Sequence, residues 1–250
     1  MVKCEGLKIP SLSGFRGSNP LSCIFKKRIK NKMKKENNFF KNREIKSQLI
    51  ILFATFILFA LLLSNILAHG FLSFVDINLM SWISTHQTNF LISISKILSN
   101  IFEPIIFFII SILLALFFIK HHRKKEFISL AVFTFISLGV MELMKLLVQR
   151  PRPILSLISE NTFSFPSGHT LMAVIFFGAL IYLFEKHIKS NKKKHLWSIC
   201  TVLLVLAISI SRLILNVHYL SDVLGSLLIG TFLLTLFIIS IEYTNIFKRD

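Results

Sequence analysis

The chain has few cysteines and few acidic residues, and both shortages restrict the classes of protein to which it can belong. Its three cysteines, Cys4, Cys23 and Cys200, form no spacing typical of a disulfide framework or a metal site. Only 12 acidic residues accompany 29 basic ones, which gives a formal net charge of +17. A positive charge of this size can indicate nucleic-acid binding. The distribution of the basic residues along the chain distinguishes this function from a membrane location.

The basic residues are concentrated outside the apolar segments. Residues 1–46 hold 13 Lys and Arg against three acidic residues, and most other basic residues lie in short segments between apolar blocks. Membrane proteins carry their basic residues in this way, and anionic lipid headgroups are the natural partner. The pattern therefore favours a membrane partner and argues against nucleic acid.

Long apolar segments dominate the rest of the chain, which is 54% hydrophobic with a mean hydropathy of +0.70. A bilayer span needs about 20 apolar residues in succession. Six such segments predict an all-α polytopic membrane helix bundle with six transmembrane helices: 49–69, 104–119, 127–148, 170–185, 196–216 and 223–242. Segment 70–100 is more polar and is predicted as interfacial helix and loop. The domain prediction is a basic N-terminal arm, 1–46, that is disordered, followed by a six-span domain, 47–245.

The loop charges predict the orientation. In a six-span chain the basic arm, 121–125, 186–194 and 248–249 share one face, which the positive-inside rule assigns to the cytoplasm together with both termini. Segments 70–100, 149–169 and 217–222 then lie on the extracytoplasmic face.

Polar residues from three separate segments converge on that second face. They are Lys145, Arg152, Ser167, Gly168, His169, Arg212, His218 and Asp222. Three cations suit the oxygens of a tetrahedral oxyanion, since Arg donates in a planar fork and Lys acts as a point charge. Ser167 and Gly168 precede an apolar helix, whose first N–H groups favour an anion.

Two histidines stand beside this predicted anion site. His218 and Asp222 are four residues apart, so on a helix they share a face and the carboxylate can orient the imidazole. A histidine held in this way is a candidate nucleophile or base. Taken singly, Lys145 could reach the interface and Ser167–Gly168 could be only a helix cap. Glu160, in the loop between two of these groups, could face the substrate but is predicted to lie on the loop surface.

Three motifs resemble the signature of the type 2 phosphatidic acid phosphatase superfamily. They are KLLVQRPRP (145–153), PSGH (166–169) and SRLILNVHYLSD (211–222). The resemblance covers about 100–240. It implies that His218 is the nucleophile and forms a phosphohistidine, that Asp222 orients it, and that His169 protonates the leaving oxygen. The phosphate ligands it implies are Lys145, Arg152, Ser167, Gly168 and Arg212, with no metal or cofactor.

The expected function is therefore hydrolysis of a lipid phosphate or diphosphate at the outer face of the cell membrane. Undecaprenyl diphosphate is the leading candidate, and phosphatidylglycerophosphate, phosphatidic acid and lipid A remain alternatives. An anion or lipid transporter without catalysis is the competing class, because six spans and buried charges also suit transport. The oligomeric state stays open.

Overall fold

The computed structural model describes residues 43–120, 123–185 and 188–247, and within these ranges the secondary structure is helical, with no strand. Its eight α-helices are α1 Arg43–Leu67, α2 Phe71–His86, α3 Asn89–Ile101, α4 Pro104–Phe117, α5 Lys124–Val148, α6 Gly168–Glu185, α7 Asn191–Ile214 and α8 Leu220–Phe247. The all-α prediction is confirmed. Most of the predicted arm, 1–42, lies outside the described residues, and α1 begins within its last four positions.

Five helices are long and apolar enough to cross a membrane by themselves: α1, α5, α6, α7 and α8. Helices α3 and α4 pass the same test only as a pair, bent by 41° at their junction. The chain is thus a multi-pass membrane protein, with five candidate spans among the described residues, or six if the bent pair counts as one. Pro104 opens α4, where its missing N–H costs no helical hydrogen bond.

The second predicted span was therefore drawn too short. Helix α4 has 14 residues, and the additional length comes from α3, which the sequence places in the interfacial segment. Helix α3 buries Ser95 and Ser99 while Phe90 and Ile97 are exposed. A helix that turns its polar side inward and its apolar side outward fits a protein surrounded by lipid.

Helix α6 is the centre of the bundle and packs against α4, α5, α7 and α8. Aromatic rings fill much of the space around it, including Phe107 against Phe176 at 5.2 Å between ring centroids. Large apolar residues on the outer helices remain exposed, among them Phe53, Phe135 and Leu203. Their burial is left to the bilayer, which is expected where no water competes.

This arrangement brings four helix ends together. Helices α5 and α7 end, and α6 and α8 begin, at the same end of the bundle. The loop 149–167 and the short link 215–219 connect them. The α2–α3 segment packs nearby, with α2 against α8 and α3 against α7.

Candidate active site

A cavity of about 620 Å³ opens where these helix ends meet. Five of the eight residues predicted from the sequence line it, namely Lys145, Arg152, Gly168, His169 and His218. The other three, Ser167, Arg212 and Asp222, are fully or almost fully buried behind the wall. The structure thus brings together side chains from α5, α6, α7, α8 and the loop 149–167.

His218 is held so that one ring nitrogen faces the cavity side. Its Nδ1 lies 2.7 Å from the backbone oxygen of Ser164, while Nε2 lies 3.4 Å from Nη1 of Arg152. When Nδ1 carries the proton and donates it to Ser164, Nε2 keeps its lone pair. Burial lowers the pKa of His218 to about 4, and the hydrogen bond with Asp222 opposes this only in part. The imidazole is therefore neutral near pH 7, as a nucleophile must be.

Asp222 is a more distant partner of His218 than the spacing suggested. Its Oδ2 lies 3.6 Å from Nδ1 of His218 and accepts the backbone N–H of Tyr219 at 2.9 Å. That second contact caps the start of α8, because a carboxylate three residues into a helix can accept the N–H of the cap residue. The contact with the Ser164 carbonyl is shorter, so a backbone atom shares the task of orienting the ring.

Glu160 bridges two of the predicted phosphate ligands. Its Oε2 lies 2.7 Å from Nη2 of Arg152, and its other oxygen accepts a hydrogen bond from Nη2 of Arg212. Burial alone would raise the pKa of the Glu160 carboxyl, but the charges of Arg212 and Arg152 outweigh it and hold the pKa below its usual range. The prediction that Glu160 lies on the loop surface is wrong. Two guanidinium groups already bind one oxyanion at this point.

Arg212 is completely buried, which is rare for arginine and costly without partners. Besides Glu160, it donates through Nη1 to the hydroxyl of Ser99 on α3. Its Nε has no hydrogen-bond partner among the described residues. Ser99 was not singled out in the sequence, since a serine in a moderately apolar segment carries no distinctive signal.

His169 lies in the first turn of α6 with its Nε2 toward the α3–α4 junction. Nε2 is 3.1 Å from the backbone oxygen of Ser99 and 3.5 Å from Oε2 of Glu103. The bend between α3 and α4 therefore supplies both contacts. A histidine between a carbonyl and a carboxylate can hold a proton for a leaving group.

Lys145 lies at the cavity wall, where Nζ is 3.1 Å from Oε1 of Glu142 and 3.4 Å from the hydroxyl of Thr162. Ser167 is buried, and its hydroxyl contacts that of Thr170 at 3.2 Å. A Cβ at Gly168 would come within 2.5 Å of Sδ of Met141. Close packing against α5 is thus one reason for glycine here.

A second set of buried charges lies behind His218 and was not predicted. Nη1 of Arg150 donates to Asp222 at 2.5 Å, and Nη2 donates to Asp76 of α2 at 2.7 Å. Asp76 also accepts from the backbone N–H and the hydroxyl of Ser221, at 2.9 and 2.5 Å. The sequence offered a weak signal for Arg150, as a cation on the face predicted to be poor in basic residues.

Within the ranges that the structure describes, no group of three or more His, Cys, Asp or Glu is placed as metal ligands would be. Three cations, two histidines and several N–H donors surround the cavity instead. This arrangement is suited to a tetrahedral oxyanion, with a neutral imidazole beside it. The fold defines an integral membrane protein, and its candidate site has the residues that an oxyanion and two histidines require.

Comparison with known proteins agrees with this class. Residues 126–246 match the family model of the PAP2 superfamily. A curated relative, phosphatidylglycerophosphatase B of Bacillus subtilis, is 39% identical over 89 residues, which are 34% of this chain and 43% of the relative. The chain thus matches less than half the length of that relative.

A solved structure has the same fold. It is a transmembrane PAP2-type phosphatidylglycerolphosphate phosphatase from Bacillus subtilis, with a TM-score of 0.71 and 21% sequence identity. The similarity covers 79% of this chain and 98% of that chain. The helical membrane bundle found here is therefore the bundle of an experimentally known membrane protein.

Proposed function

We propose that the protein is a lipid phosphatase that hydrolyses a phosphate or diphosphate ester through a phosphohistidine. The observation that carries the proposal is the pair Arg152 and Arg212, which bind one carboxylate beside Nε2 of His218. A phosphoryl group presents the same negative oxygens with one more charge. The match of residues 126–246 to the PAP2 superfamily model supports the same chemistry.

In the first step, Nε2 of His218 attacks phosphorus and the bond from phosphorus to the leaving oxygen breaks. His169 donates its proton to that oxygen, so the lipid alcohol or lipid monophosphate leaves in protonated form. In the second step, a water attacks the phosphohistidine while His169 takes a proton from it. The N–P bond breaks, inorganic phosphate leaves, and both histidines return to their starting state.

The cations stabilise the charge that spreads over the phosphoryl oxygens during transfer. Phosphoryl transfer asks mainly for in-line positioning and charge stabilisation, which fixed guanidinium and ammonium groups supply as Mg²⁺ does in other enzymes. Arg152, Arg212 and Lys145 come from three different elements, so the site is assembled by the fold and not by one segment. We propose turnover that does not depend on a divalent cation.

The substrate is proposed to be a lipid, because the cavity lies at one end of a membrane bundle. The curated relative is named for phosphatidylglycerophosphate, which makes this lipid the first candidate. Undecaprenyl diphosphate is the second, since it suits an outer-face site in a bacterial membrane. The end of the bundle opposite the site carries Lys124, Lys125 and Lys192–Lys194, and the positive-inside rule then puts the site on the extracytoplasmic side.

The test is phosphate release by the detergent-purified full chain in excess EDTA. Phosphatidylglycerophosphate, undecaprenyl diphosphate, phosphatidic acid and lipid A are assayed side by side, and the preferred lipid is expected to exceed the others in kcat/KM. His218→Ala should abolish release and should also abolish the phosphate that wild type retains on the protein after an alkaline SDS quench, which preserves the acid-labile N–P bond. His86→Ala changes an exposed histidine remote from the cavity and should behave as wild type.

Three outcomes would count against the proposal. Release that requires Mg²⁺ would contradict the role given to the three cations. Near-normal release by His218→Ala would contradict the phosphohistidine. Tight lipid binding without release by the wild type, on all four lipids, would favour a transport or carrier function.

A further inference from the structure

The charges behind His218 form an alternating series that reaches from α2 to the imidazole. Asp76, Arg150, Asp222 and His218 follow one another with contacts of 2.7, 2.5 and 3.6 Å. Asp76 and Asp222 are 2% and 0% exposed, so water screens these charges little. Arg150 is further fixed by the ring of Tyr219, whose centroid lies 4.2 Å from its Cζ.

If Arg150 paired only with Asp222, it would weaken the electrostatic stabilisation of positive charge on the His218 ring. Its guanidinium neutralises the carboxylate of Asp222, which is the only acidic group of α8 in contact with His218 among the described residues. When Nε2 of His218 bonds to phosphorus, positive charge develops on the ring. A neutralised Asp222 would stabilise that charge weakly, because a guanidinium of the same sign lies just behind it.

Asp76 offsets the charge of Arg150. The guanidinium contacts both Asp76 and Asp222, so the three groups together carry one net negative charge behind the imidazole. It also fixes Ser221 through a backbone and a side-chain contact, and Ser221 in turn accepts from Arg150. The geometry of Asp222 at the start of α8 is thereby tied to helix α2.

We infer that Asp76 is a positioning residue of the proposed reaction, acting through Arg150 and Asp222 on the nucleophile His218. This inference rests on the proposed function for its catalytic meaning, and on the contacts alone for its electrostatic meaning. Asp76 does not line the cavity. Helix α2, which is absent from the matched range 126–246, then contributes to the site.

The experiment compares Asp76→Asn with Asn65→Ala. Asparagine keeps the size and Oδ1, which accepts the backbone N–H of Ser221, but removes the charge. Asn65→Ala removes the 2.9 Å contact that holds the start of α2 to α1 and leaves the charge series intact. The control therefore loosens the same helix without altering the electrostatics of His218.

Asp76→Asn should lower kcat by roughly 10- to 100-fold, as when a residue behind a ligating histidine is removed, while KM changes less than about twofold. Loss of a negative charge also makes the imidazolium less favourable, so the acid limb of kcat/KM should move to lower pH. The other charged groups that act on His218 are Arg152, Arg212 and Glu160, and the substitution leaves them in place. Asn65→Ala should change neither the limb nor the ratio of kcat to KM.

Titration of ¹⁵N-labelled histidine by NMR tests the electrostatic part without turnover. The midpoint of His218, assigned by its loss in His218→Ala, should be lower in Asp76→Asn than in wild type. A shift of the midpoint with no phosphatase activity in any form would support the positioning role and reject the proposed function. An active wild type with the same limb and midpoint in Asp76→Asn and Asn65→Ala would overturn the inference. If Asp76→Asn does not fold, the smaller substitution Asp76→Ser, which also removes the charge, should give the same shift.

Discussion

Nη1 of Arg152 lies 3.4 Å from Nε2 of His218. The nitrogen that would attack phosphorus is therefore next to a guanidinium that would bind the phosphoryl oxygens. The same arginine is 2.7 Å from Glu160. The proposed nucleophile, a proposed oxyanion ligand and an internal carboxylate therefore lie within one small volume.

Replacement of Glu160 by glutamine should favour the binding of external anions. The substitution leaves two largely buried guanidinium groups without their carboxylate, which destabilises the fold by about 2 kcal/mol. The same loss raises the affinity of the two groups for an added anion. Thermal unfolding in detergent should show a lower Tm without phosphate and a larger rise in Tm with phosphate than in wild type.

The matched control is Glu142→Gln. Glu142 lines the same cavity and contacts Lys145 at 3.1 Å, but its side chain is 54% exposed. An ion pair whose carboxylate is exposed to solvent contributes little, so the stability of this variant should stay within about 0.5 kcal/mol of wild type. Equal phosphate effects in the two variants would contradict the internal role of Glu160.

The pH profile of kcat/KM should have an acid limb near pH 4. Burial lowers the pKa of His218 to about 4, below the ordinary value of 6.5. The protonated ring has no lone pair at Nε2, so activity is lost as the pH falls through that value. A limb near pH 6.5 would mean that water reaches the ring.

His218 should also make stability depend on pH. Its pKa is lower in the folded than in the unfolded chain, so the unfolded chain binds more protons between about pH 4 and 6.5. The contribution of this group is fully present above pH 6.5 and is lost as the pH falls toward 4. Unfolding of wild type and His218→Gln across this range isolates it, since the variant lacks the titration.

Replacement of His169 by alanine should depend on the leaving group. An acid that protonates the leaving oxygen contributes about 10²- to 10⁴-fold with a lipid alcohol. With para-nitrophenyl phosphate, whose anion leaves unaided, the loss should be far smaller. Equal losses with both substrates would assign His169 to binding instead of proton transfer.

Replacement of Arg212 by lysine should damage the site although the charge is kept. Arg212 contacts Ser99 and Glu160 with two different nitrogens, and a single ammonium on a flexible stem does not reproduce that fork. We expect kcat/KM to fall at least about tenfold. Arg123→Lys, at the opposite end of the bundle beside Glu126, should affect Tm but not KM.

The sequence predicts the membrane bundle well because a span requires about 20 consecutive apolar residues, which give a strong hydropathy signal. Helices α1, α5, α6, α7 and α8 are each found by hydropathy alone, with ends that differ from the structure by at most about six residues. The bent pair α3–α4 is different, since each half is short and the inward Ser95 and Ser99 lower the mean hydropathy of α3. The polar face of α3 therefore hides this half of the pair from a search for apolar segments, whereas α4 is found.

The site divides in the same way. Motif spacing identifies the residues that touch or flank the cavity, because their types and intervals occur within short segments. Asp76 lies 74 residues before Arg150, and nothing in its neighbourhood marks it. The Ser164 carbonyl that holds His218 is a backbone atom, which any residue type would supply. Long-range ion pairs and main-chain acceptors become visible only in three dimensions.

The carboxylate of Glu160 has a consequence for the end of the catalytic cycle. It is attached to the loop beside the two arginines, so its effective concentration there is on the order of millimolar or higher. On the proposed mechanism, inorganic phosphate that has just been released meets a tethered competitor that refills the site without diffusing. Product inhibition is then weak, and the phosphatase continues to turn over in surroundings rich in phosphate.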